Sequence, residues 1–372
     1  MISLLILLTF INFSSALPSP QEQPLRNLRI LDAGVGHRST PIPRWRTSLR
    51  GLTTRGTYAT ILQQFGPENA TGLLAEPINA MSLAYSPSAA ALYSVTGQGI
   101  IRTSVNGSNP EIVVTDQDGG RGQIMSVTVA EKERKLYYGT LYEGLIKRAD
   151  LDGNNVEVVR NVSQGINYNI FPSYTPANFY ANGLSVDEEK GWLYWSSANG
   201  PDDGSVRRAL LNSEGEEQVL ASGINVPGQL RLVRDTNTLF WAERGRWNTS
   251  PTSIKRFDLS QLRNSSPTPP SPTAPPVALA THLVVHSSQS SLFFENDYTG
   301  DKQTLRIQSF VVHRNNVEQK IWFIAQSSGR TIFGKLVEVT WKGSGDGRKA
   351  EFEVLTANTA DIGVPIGLEY IP

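Results

Sequence analysis

The strongest structural pattern in the chain is the alternation of apolar and polar residues in the segment 182–220. Leu184 and Val186 alternate with polar residues, a short turn follows, and an apolar and aromatic run extends from Trp192 to Trp195. A loop rich in Gly, Asn and Asp then precedes a further alternating run around Val206. Period-two alternation between turn residues is typical of antiparallel strands, so the segment predicts a four-stranded antiparallel sheet.

Copies of this pattern recur along the chain and predict a repeat protein. The aromatic-rich runs lie at residues 91–94, 136–139, 193–196 and 239–242, and a fainter copy lies at residues 28–51. Their spacing is roughly 40 to 55 residues, which is the range of propeller blades. A single sheet of this kind cannot bury both of its faces, so we expect the copies to stack on one another.

Three of the aromatic-rich runs are followed by a run that begins with Ile and contains Arg, at Ile101, Ile254 and, most completely, in residues 146–153, IKRADLDG. The combination of an LYW run and an I-x-R-x-x-L-D-G run resembles the YWTD, or LDL-receptor class B, repeat. The resemblance extends from about Leu28 onward. It implies an all-β fold, a six-bladed β-propeller of four-stranded antiparallel blades. Thr140, Ser197 and Glu243 stand where the repeat has its Asp, so the contacts of that Asp are not carried over.

Four blades are predicted at residues 78–114, 124–159, 182–220 and 229–279. Residues 28–62 predict the outer strands of a further blade, and the C-terminal residues 366–371 predict its inner strand. Pairing of these two segments would close the ring and remove an exposed sheet edge. Residues 281–355 predict an enlarged sixth blade. Because two second-strand runs lie there, at 291–294 and 320–323, a degenerate seventh blade is the alternative.

The N-terminus predicts export from the cytosol. Residues 1–16 hold a short apolar run that ends in small residues, which is typical of a secretory signal peptide; a buried N-terminal strand is the alternative. Residues 17–27 predict a flexible segment, and residues 28–372 a single propeller domain. No later stretch is long and apolar enough to predict a membrane span. The predicted location is therefore extracellular or the lumen of the secretory pathway.

Composition excludes several classes of function. The 372 residues include 34 basic and 34 acidic residues, so a nucleic-acid partner held by bulk electrostatics is not expected. The chain has no Cys, which excludes disulfides, Cys nucleophiles and Cys metal sites. Sequons for N-glycosylation lie in segments predicted as loops or turns, at Asn69, Asn106, Asn161, Asn248 and Asn264.

Polar residues open the predicted inner strands, where a propeller usually meets its ligand. They are the candidates for a central site: Asn79, Gln123, Asn182, Gln229 and, at the start of the predicted sixth blade, His282. The alternative is that the amides cap strand ends and bind water in the channel. No G-x-S-x-G, H-E-x-x-H or phosphate-loop motif is present.

A long aromatic-rich insertion precedes the third complete repeat. Residues 164–180 hold Tyr168, Phe171, Tyr174, Phe179 and Tyr180. Loops of this length are usually functional or disordered, and disordered segments are poor in aromatic residues. The insertion therefore predicts a lid over a site for a small apolar molecule. The alternative is that its rings plug the channel. Trp241 is a further candidate for substrate binding, although core packing is the favoured role for the Trp residues of the LYW runs.

Three functions are consistent with these residues. The first is a cofactor-independent enzyme, similar in general character to the hetero-Diels–Alderases of fungal tropolone-sesquiterpenoid assembly. The amides and His282 of the central site, with Tyr168, would then be catalytic by orienting and polarising an intermediate. The second is a secreted protein-binding module. The third is a metal-dependent hydrolase, because residues 182–184 resemble an inner strand of gluconolactonase-like propellers, with Asp187 and Glu369 near comparable positions. For the enzyme and for the protein-binding module, neither a cofactor nor a metal is predicted.

Overall fold

A computed structural model describes most of the chain beyond residue 81. The described residues are 28–32, 82–96, 99–104, 109–115, 124–141, 143–162, 180–198, 204–211, 217–224, 226–243, 252–262, 282–286, 294–295, 302–303, 305–314, 319–327, 334–341, 351–354 and 365–370. Within these ranges the regular structure is β-strand, apart from two 3₁₀ turns at Arg234–Thr236 and Leu259–Gln261.

Five four-stranded antiparallel sheets follow one another along the chain after strand β1 (Leu28–Asp32), and we call them blades 1 to 5. Blade 1 holds β2 (Leu83–Ser86), β3 (Ala91–Thr96), β4 (Gly99–Ser104) and β5 (Glu111–Thr115). Blade 2 holds β6 (Ile124–Ala130), β7 (Lys135–Thr140), β8 (Leu145–Asp150) and β9 (Glu157–Asn161). Blade 3 holds β10 (Tyr180–Asp187), β11 (Trp192–Ala198), β12 (Gly204–Leu210) and β13 (Gln218–Ile224).

Blade 4 holds β14 (Pro227–Val233), β15 (Thr238–Glu243), β16 (Ser253–Asp258) and β17 (His282–His286). A two-stranded hairpin of β18 (Phe294–Glu295) and β19 (Lys302–Gln303) comes next. Blade 5 holds β20 (Leu305–Arg314), β21 (Gln319–Ser327), β22 (Gly334–Trp341) and β23 (Glu351–Val354), and the last strand is β24 (Pro365–Tyr370).

The first strands of the blades form a closed ring. Each first strand contacts that of the next blade, from β2 through β6, β10 and β14 to β20. The last strand, β24, contacts β20 on one side and β2 on the other, and pairs with β1 so that Leu28 lies opposite Tyr370. The predicted pairing of the C-terminal strand with the N-terminal copy is therefore confirmed. Sheets arranged radially around inner strands are the architecture of a propeller.

The predicted number of six four-stranded blades is wrong for the part of the chain that the structure describes, which holds five. The position between blades 5 and 1 holds only the two-stranded sheet of β1 and β24, and residues 33–81 lie outside the described ranges. The predicted limits of the last blade are also wrong. The segment 282–286 is the fourth strand of blade 4, because a Pro/Ser/Thr-rich stretch delays it along the chain, and blade 5 begins at Leu305. Phe294 belongs to the hairpin and not to a seventh blade.

Hydrophobic cores lie between adjacent blades, so both faces of a sheet are buried. Tyr194 packs into the core between blades 3 and 4, and the next residue, Trp195, packs into the core between blades 2 and 3. Neighbouring residues of a strand point to opposite faces, which is why the aromatic-rich runs can contribute to two cores at once. Burial of each such side chain stabilises the fold by about 1.5–3 kcal/mol.

Bulges recur near both edges of the blades. In blade 2 the register shifts between Ile124 and Ser126 on the inner strand, and Val159 is the extra residue on the outer strand. In blade 3 the corresponding extra residues are Asn182 and Leu220. A bulge bends its strand and re-aims the side chain that it displaces. This geometry positions the polar residues of the candidate site.

Candidate functional site

The inner strands all begin on one face of the ring, which we call the leading face; the opposite face is the trailing face. In an antiparallel blade the leading face also carries the end of the second strand, the start of the third and the end of the fourth. Tyr180 at the start of β10, Asn161 at the end of β9 and Glu243 at the end of β15 therefore lie there. Tyr180 is half-buried.

Asn182 occupies the bulge of the inner strand of blade 3 and is only 3% exposed. Its Nδ2 donates a hydrogen bond to the carbonyl O of Pro227 in blade 4, at 2.6 Å. Ser196 on β11 reinforces this contact by donating from Oγ to the carbonyl O of Gly228, also at 2.6 Å. The other side-chain atom, Asn182 Oδ1, is buried and accepts no hydrogen bond from the described residues.

Gln229 makes the equivalent contact one blade further on. Its Oε1 accepts hydrogen bonds from Ser309 Oγ and from the backbone N–H of Phe310 on β20, each at 2.7 Å. The residue is 8% exposed. One amide oxygen thus ties blade 4 to blade 5.

In blades 1 and 2 a serine makes the corresponding contact with the inner strand of the next blade. Ser82 Oγ accepts from the N–H of Val127 at 3.1 Å and donates to the carbonyl O of the same residue at 3.2 Å. Ser126 Oγ donates to the carbonyl O of Ala181 at 2.7 Å. We call these contacts of Ser82, Ser126, Asn182 and Gln229 the blade clamps. Each satisfies a buried backbone group, and such a bond contributes about 0.5–1.5 kcal/mol.

Gly183 explains why blade 3 uses an asparagine for its clamp. A Cβ on Gly183 would lie 2.7 Å from both the carbonyl O of Gly228 and the backbone N of Leu230. Blades 3 and 4 approach too closely here for any side chain at this position. The clamp is therefore supplied by the preceding residue, Asn182, and by Ser196 from the second strand.

Glu243 stands in place of the YWTD aspartate in blade 4 and bonds within its own blade. Its carboxylate lies 2.8 Å from Lys255 Nζ and accepts longer hydrogen bonds from Trp241 Nε1 and Ser253 Oγ. A second link to blade 5, beside that of Gln229, is made by Thr252, whose Oγ1 donates to the carbonyl O of Glu243 and accepts from the N–H of Ile307. Thr140 replaces the aspartate in blade 2 and bonds the backbone of Leu145.

In blades 2 and 3 a tyrosine of the second strand lies opposite an arginine of the third strand. Tyr137 lies opposite Arg148, and Tyr194 lies opposite Arg208. Burial raises the pKa of Tyr194 to about 12, against the opposing effect of Arg208. Burial likewise raises the pKa of Tyr137, to whose hydroxyl Arg148 donates. These rings are structural groups that keep their protons across the physiological range.

The remaining predicted site residues are separated by the fold. Trp241 is buried and packs in the core between blades 3 and 4. His282 starts β17, an outer strand, and so does not open an inner strand as predicted. Asn161 is exposed at the end of β9. The other candidates lie outside the described residues: Asn69, Asn79, Asn106, Gln123, Tyr168, Phe171, Tyr174, Phe179, Asn248 and Asn264.

The structure also describes the positions of the two residues that were candidates for a metal site, Asp187 and Glu369. Asp187 ends β10 at the trailing face, where its Oδ1 accepts from the backbone N–H of Lys190 in the turn. Glu369 lies in β24 opposite Arg29. Within the described ranges no three His, Asp or Glu side chains are grouped so that they could hold a metal ion.

Sequence reasoning missed a set of carboxylates on the trailing face. Glu188 Oε1 accepts from the backbone N–H of Glu133 in the preceding blade at 2.9 Å, and Glu131 accepts from the N–H of Ser88 at 3.2 Å. The available signal was the acidic residue that recurs in the turns between the first and second strands of blades 2, 3 and 4. Charged residues in turns are usually solvated, so this recurrence does not by itself indicate a contact between blades.

Comparison with known proteins found a relative that matches part of this chain. A segment of the chain is 26% identical over 170 residues to a Pyricularia oryzae protein described as low-density lipoprotein receptor-related protein 1. The alignment covers 44% of this chain and 54% of the relative, so the chain spans about half the length of the relative that it matches. No family model matches the chain.

Solved structures with similar folds include a chain of the nidogen/laminin complex, with a TM-score of 0.49 and 12% identity over 78% of this chain and 83% of the other. The ring of radially arranged four-stranded sheets decides the fold. The chain is a β-propeller. Regucalcin of Agrobacterium tumefaciens, described as a calcium-binding protein, has a TM-score of 0.45 and 11% identity over 73% of each chain. The propeller's likeness to these structures concerns the fold alone. In the described residues no helix has the length and apolar character that crossing a membrane requires.

Proposed function

We propose that this propeller is a secreted protein-binding module whose partner contacts the leading face. The observation that carries the proposal is the use of Asn182 and Gln229 as blade clamps. Both amides were candidates for central chemistry, and both are buried and bonded to the backbone of the next blade. An inner ring built in this way is a rigid scaffold. A rigid scaffold that presents loops is how binding modules are commonly organised.

The aromatic-rich segment 164–180 is the proposed contact region. The described chain stops at Val162, whose N–H donates to the carbonyl O of Gly144, and resumes at Tyr180 on β10. The nearest described residues on either side, Val162 and Tyr180, thus both lie on the leading face. Aromatic side chains are enriched at the centres of protein interfaces because they bury much area at little cost in conformational entropy.

The similarity to a protein described as receptor-related supports the same class of function. The predicted signal peptide and the five sequons support a secreted location. Because the relative is matched over about half of its length, its partners are not transferred to this chain.

The test compares two altered surfaces of the secreted protein. One variant carries Tyr168→Ser, Phe171→Ser and Tyr174→Ser in the aromatic-rich segment. The control carries Lys132→Ser and Glu189→Ser, which removes an exposed ion pair from the trailing face. Cross-linking in the native culture medium, followed by mass spectrometry, is expected to join one protein to the wild type and to the control but not to the aromatic variant. Equal capture by all three forms would refute the proposed contact region.

A second candidate is the binding of a small apolar molecule in the central channel, as a cofactor-independent cyclase of natural-product assembly would require. The observation that favours it is Asn182 Oδ1, a buried acceptor to which no described group donates. A ligand hydroxyl or amide would satisfy it. Native mass spectrometry of the deglycosylated protein tests this candidate. A co-purified metabolite that is lost in Asn182→Leu and kept in the control Lys132→Ser would favour it, and an empty wild-type protein would count against it.

A further inference from the structure

The outer edge of blade 2 carries two exposed apolar side chains. Val156 is 53% exposed and Val158 is 59% exposed. Val158 belongs to β9, which pairs with β8 on one side and, among the described strands, with none on the other. An unpaired edge with apolar side chains is a template on which another chain can add a strand. The folded protein therefore needs a way to block this edge.

A glycosylation sequon lies at the end of the same strand. Asn161 is the last residue of β9, and it is followed by Val162 and Ser163. Its side chain is exposed, so a glycan attached there would not have to displace a neighbouring strand. Of the five sequons, this is the one whose acceptor lies within the described residues.

The bulge in β9 brings Asn161 and Val158 to the same face of the blade. Val158 is paired with Lys147 and Asn161 with Leu145, while Val159 is the extra residue between them. Directly paired residues share a face, and Leu145 and Lys147 are two positions apart on β8, so they share one too. Without the bulge, residues three positions apart would point to opposite faces. With it, the two side chains lie about 7 Å apart along the strand.

The other face of β9 is already occupied. Arg160 is paired with Ile146, points to the opposite face and lies over the ring of Trp195, 5.7 Å from its centroid. Its Nη1 is 3.7 Å from the carboxylate of Glu217 in blade 3. One face of β9 therefore holds blade 3, and a group attached to Asn161 projects on the face that carries Val158.

We propose that an N-linked glycan on Asn161 covers Val158 and prevents the edge of blade 2 from pairing with another chain. This inference rests on the secreted location in the proposed function. A carbohydrate chain is bulky and hydrophilic, so it blocks strand addition and hides apolar surface at the same time.

Occupancy is tested on the full chain secreted from a eukaryotic host. Enzymatic deglycosylation in heavy-oxygen water is expected to label Asn161. Ser163→Ala, which removes the sequon but keeps the Asn161 side chain, is expected to lose the mass of one glycan. Ser163→Thr keeps the sequon and is expected to match the wild type. An unlabelled Asn161 in a protein whose other sequons are labelled would overturn the proposal.

Shielding is tested by sedimentation of the same proteins. Ser163→Ala is expected to self-associate more than the wild type, as is wild-type protein deglycosylated under native conditions. The double variant Val158→Thr, Ser163→Ala is expected to return to wild-type behaviour. Unchanged sedimentation on loss of the glycan would overturn the shielding role. Each form is also made with a foreign leader in place of residues 1–16. If the protein is exported with the foreign leader but not with its own residues 1–16, this would count against the secreted location in the proposed function. A labelled Asn161 in the exported protein would still support the glycan.

Discussion

Arg148 lies directly opposite Tyr137 on the neighbouring strand of blade 2, and its Nη1 donates to the tyrosine hydroxyl at 3.4 Å. The hydroxyl donates in turn to Glu133, and the guanidinium also reaches Glu157 on the outer strand, at 2.8 Å. Blade 3 repeats the arrangement with Tyr194, Arg208 and Gln218. The arginine of the I-x-R run therefore joins the second, third and fourth strands of a blade.

The buried tyrosines are expected to make the protein sensitive to alkaline pH. Burial raises the pKa of Tyr194 from its ordinary value of 10.0 to about 12, so the folded state keeps this proton when the unfolded state has lost it. The free energy of unfolding should be unaffected by this group below about pH 10 and should fall between about pH 10 and 12. The full loss from Tyr194 would be about 3 kcal/mol.

Urea unfolding of Tyr194→Phe at pH 8 and at pH 11 tests this expectation. The variant should lose less stability than the wild type between the two pH values. Blade 4 has Phe240 at the corresponding position, so a ring without a hydroxyl is accommodated there. Equal losses in the two proteins would show that Tyr194 does not contribute to alkaline unfolding.

Gly153→Ala is expected to destabilise the fold strongly. Gly153 has a φ of +87°, and an added Cβ would lie 1.5 Å from the carbonyl O of Val113 in blade 1. Gly191 also has a positive φ, of +68°, but has open space around its Cβ position. Gly191→Ala should therefore cost only the backbone strain, about 1–2 kcal/mol. Gly153→Ala should cost this strain and about 1–3 kcal/mol more, because blade 1 must be displaced to make room for the added Cβ. Similar melting temperatures for the two variants would contradict this close approach.

The blade clamp of Gln229 is expected to depend on its acceptor oxygen. Gln229→Leu leaves the N–H of Phe310 and the hydroxyl of Ser309 without this acceptor in a buried place. The expected loss of unfolding free energy is about 1–3 kcal/mol. Gln229→Glu retains an acceptor of the same length and should be the more stable variant in urea at pH 8. Equal stability of the two variants would mean that the hydrogen bonds do not hold blades 4 and 5 together.

Glu217 is expected to stabilise the contact between blades 2 and 3. Its carboxylate lies between Arg207, at 2.9 Å, and Arg160, at 3.7 Å, and all three side chains are largely buried. Glu217→Gln should lower the free energy of unfolding by about 1–3 kcal/mol, because it leaves two cations close together away from water. The matched control is Glu157→Gln, which removes a half-exposed partner of Arg148 and should cost less than about 1 kcal/mol. Equal effects on chemical unfolding would contradict the buried network.

The repeated parts of the fold were predictable because the same residue types recur in the same order in each blade. Trp195 and Trp241 lie in the second strands of blades 3 and 4 as their LYW runs predicted, and both are buried. The strand at His282 was misassigned because the fourth strand of blade 4 is separated from the third by a long non-repeating stretch. Spacing alone cannot tell a delayed outer strand from the next inner strand.

The candidate site was harder to predict because an amide at the start of a strand is compatible with two roles. Asn182 and Gln229 were found from the sequence, but their partners are backbone groups 45 and 81 residues away. The sequence does not encode such pairs by any local pattern. The bulge that turns Asn161 toward Val158 is equally invisible, since it depends on the register between β8 and β9.

The pairing of β1 with β24 determines how the protein would respond to mechanical force. Leu28, at the N-terminal end of β1, lies opposite Tyr370, near the C-terminus of the chain. A pull on the two termini would therefore act across the hydrogen bonds at this end of the pair and open them one after another, as a zipper opens. Loading of this kind needs less force than shearing all the bonds of a pair at once. Tension between the termini would thus release β24 first, and because β24 touches both β20 and β2, the ring would open at that point.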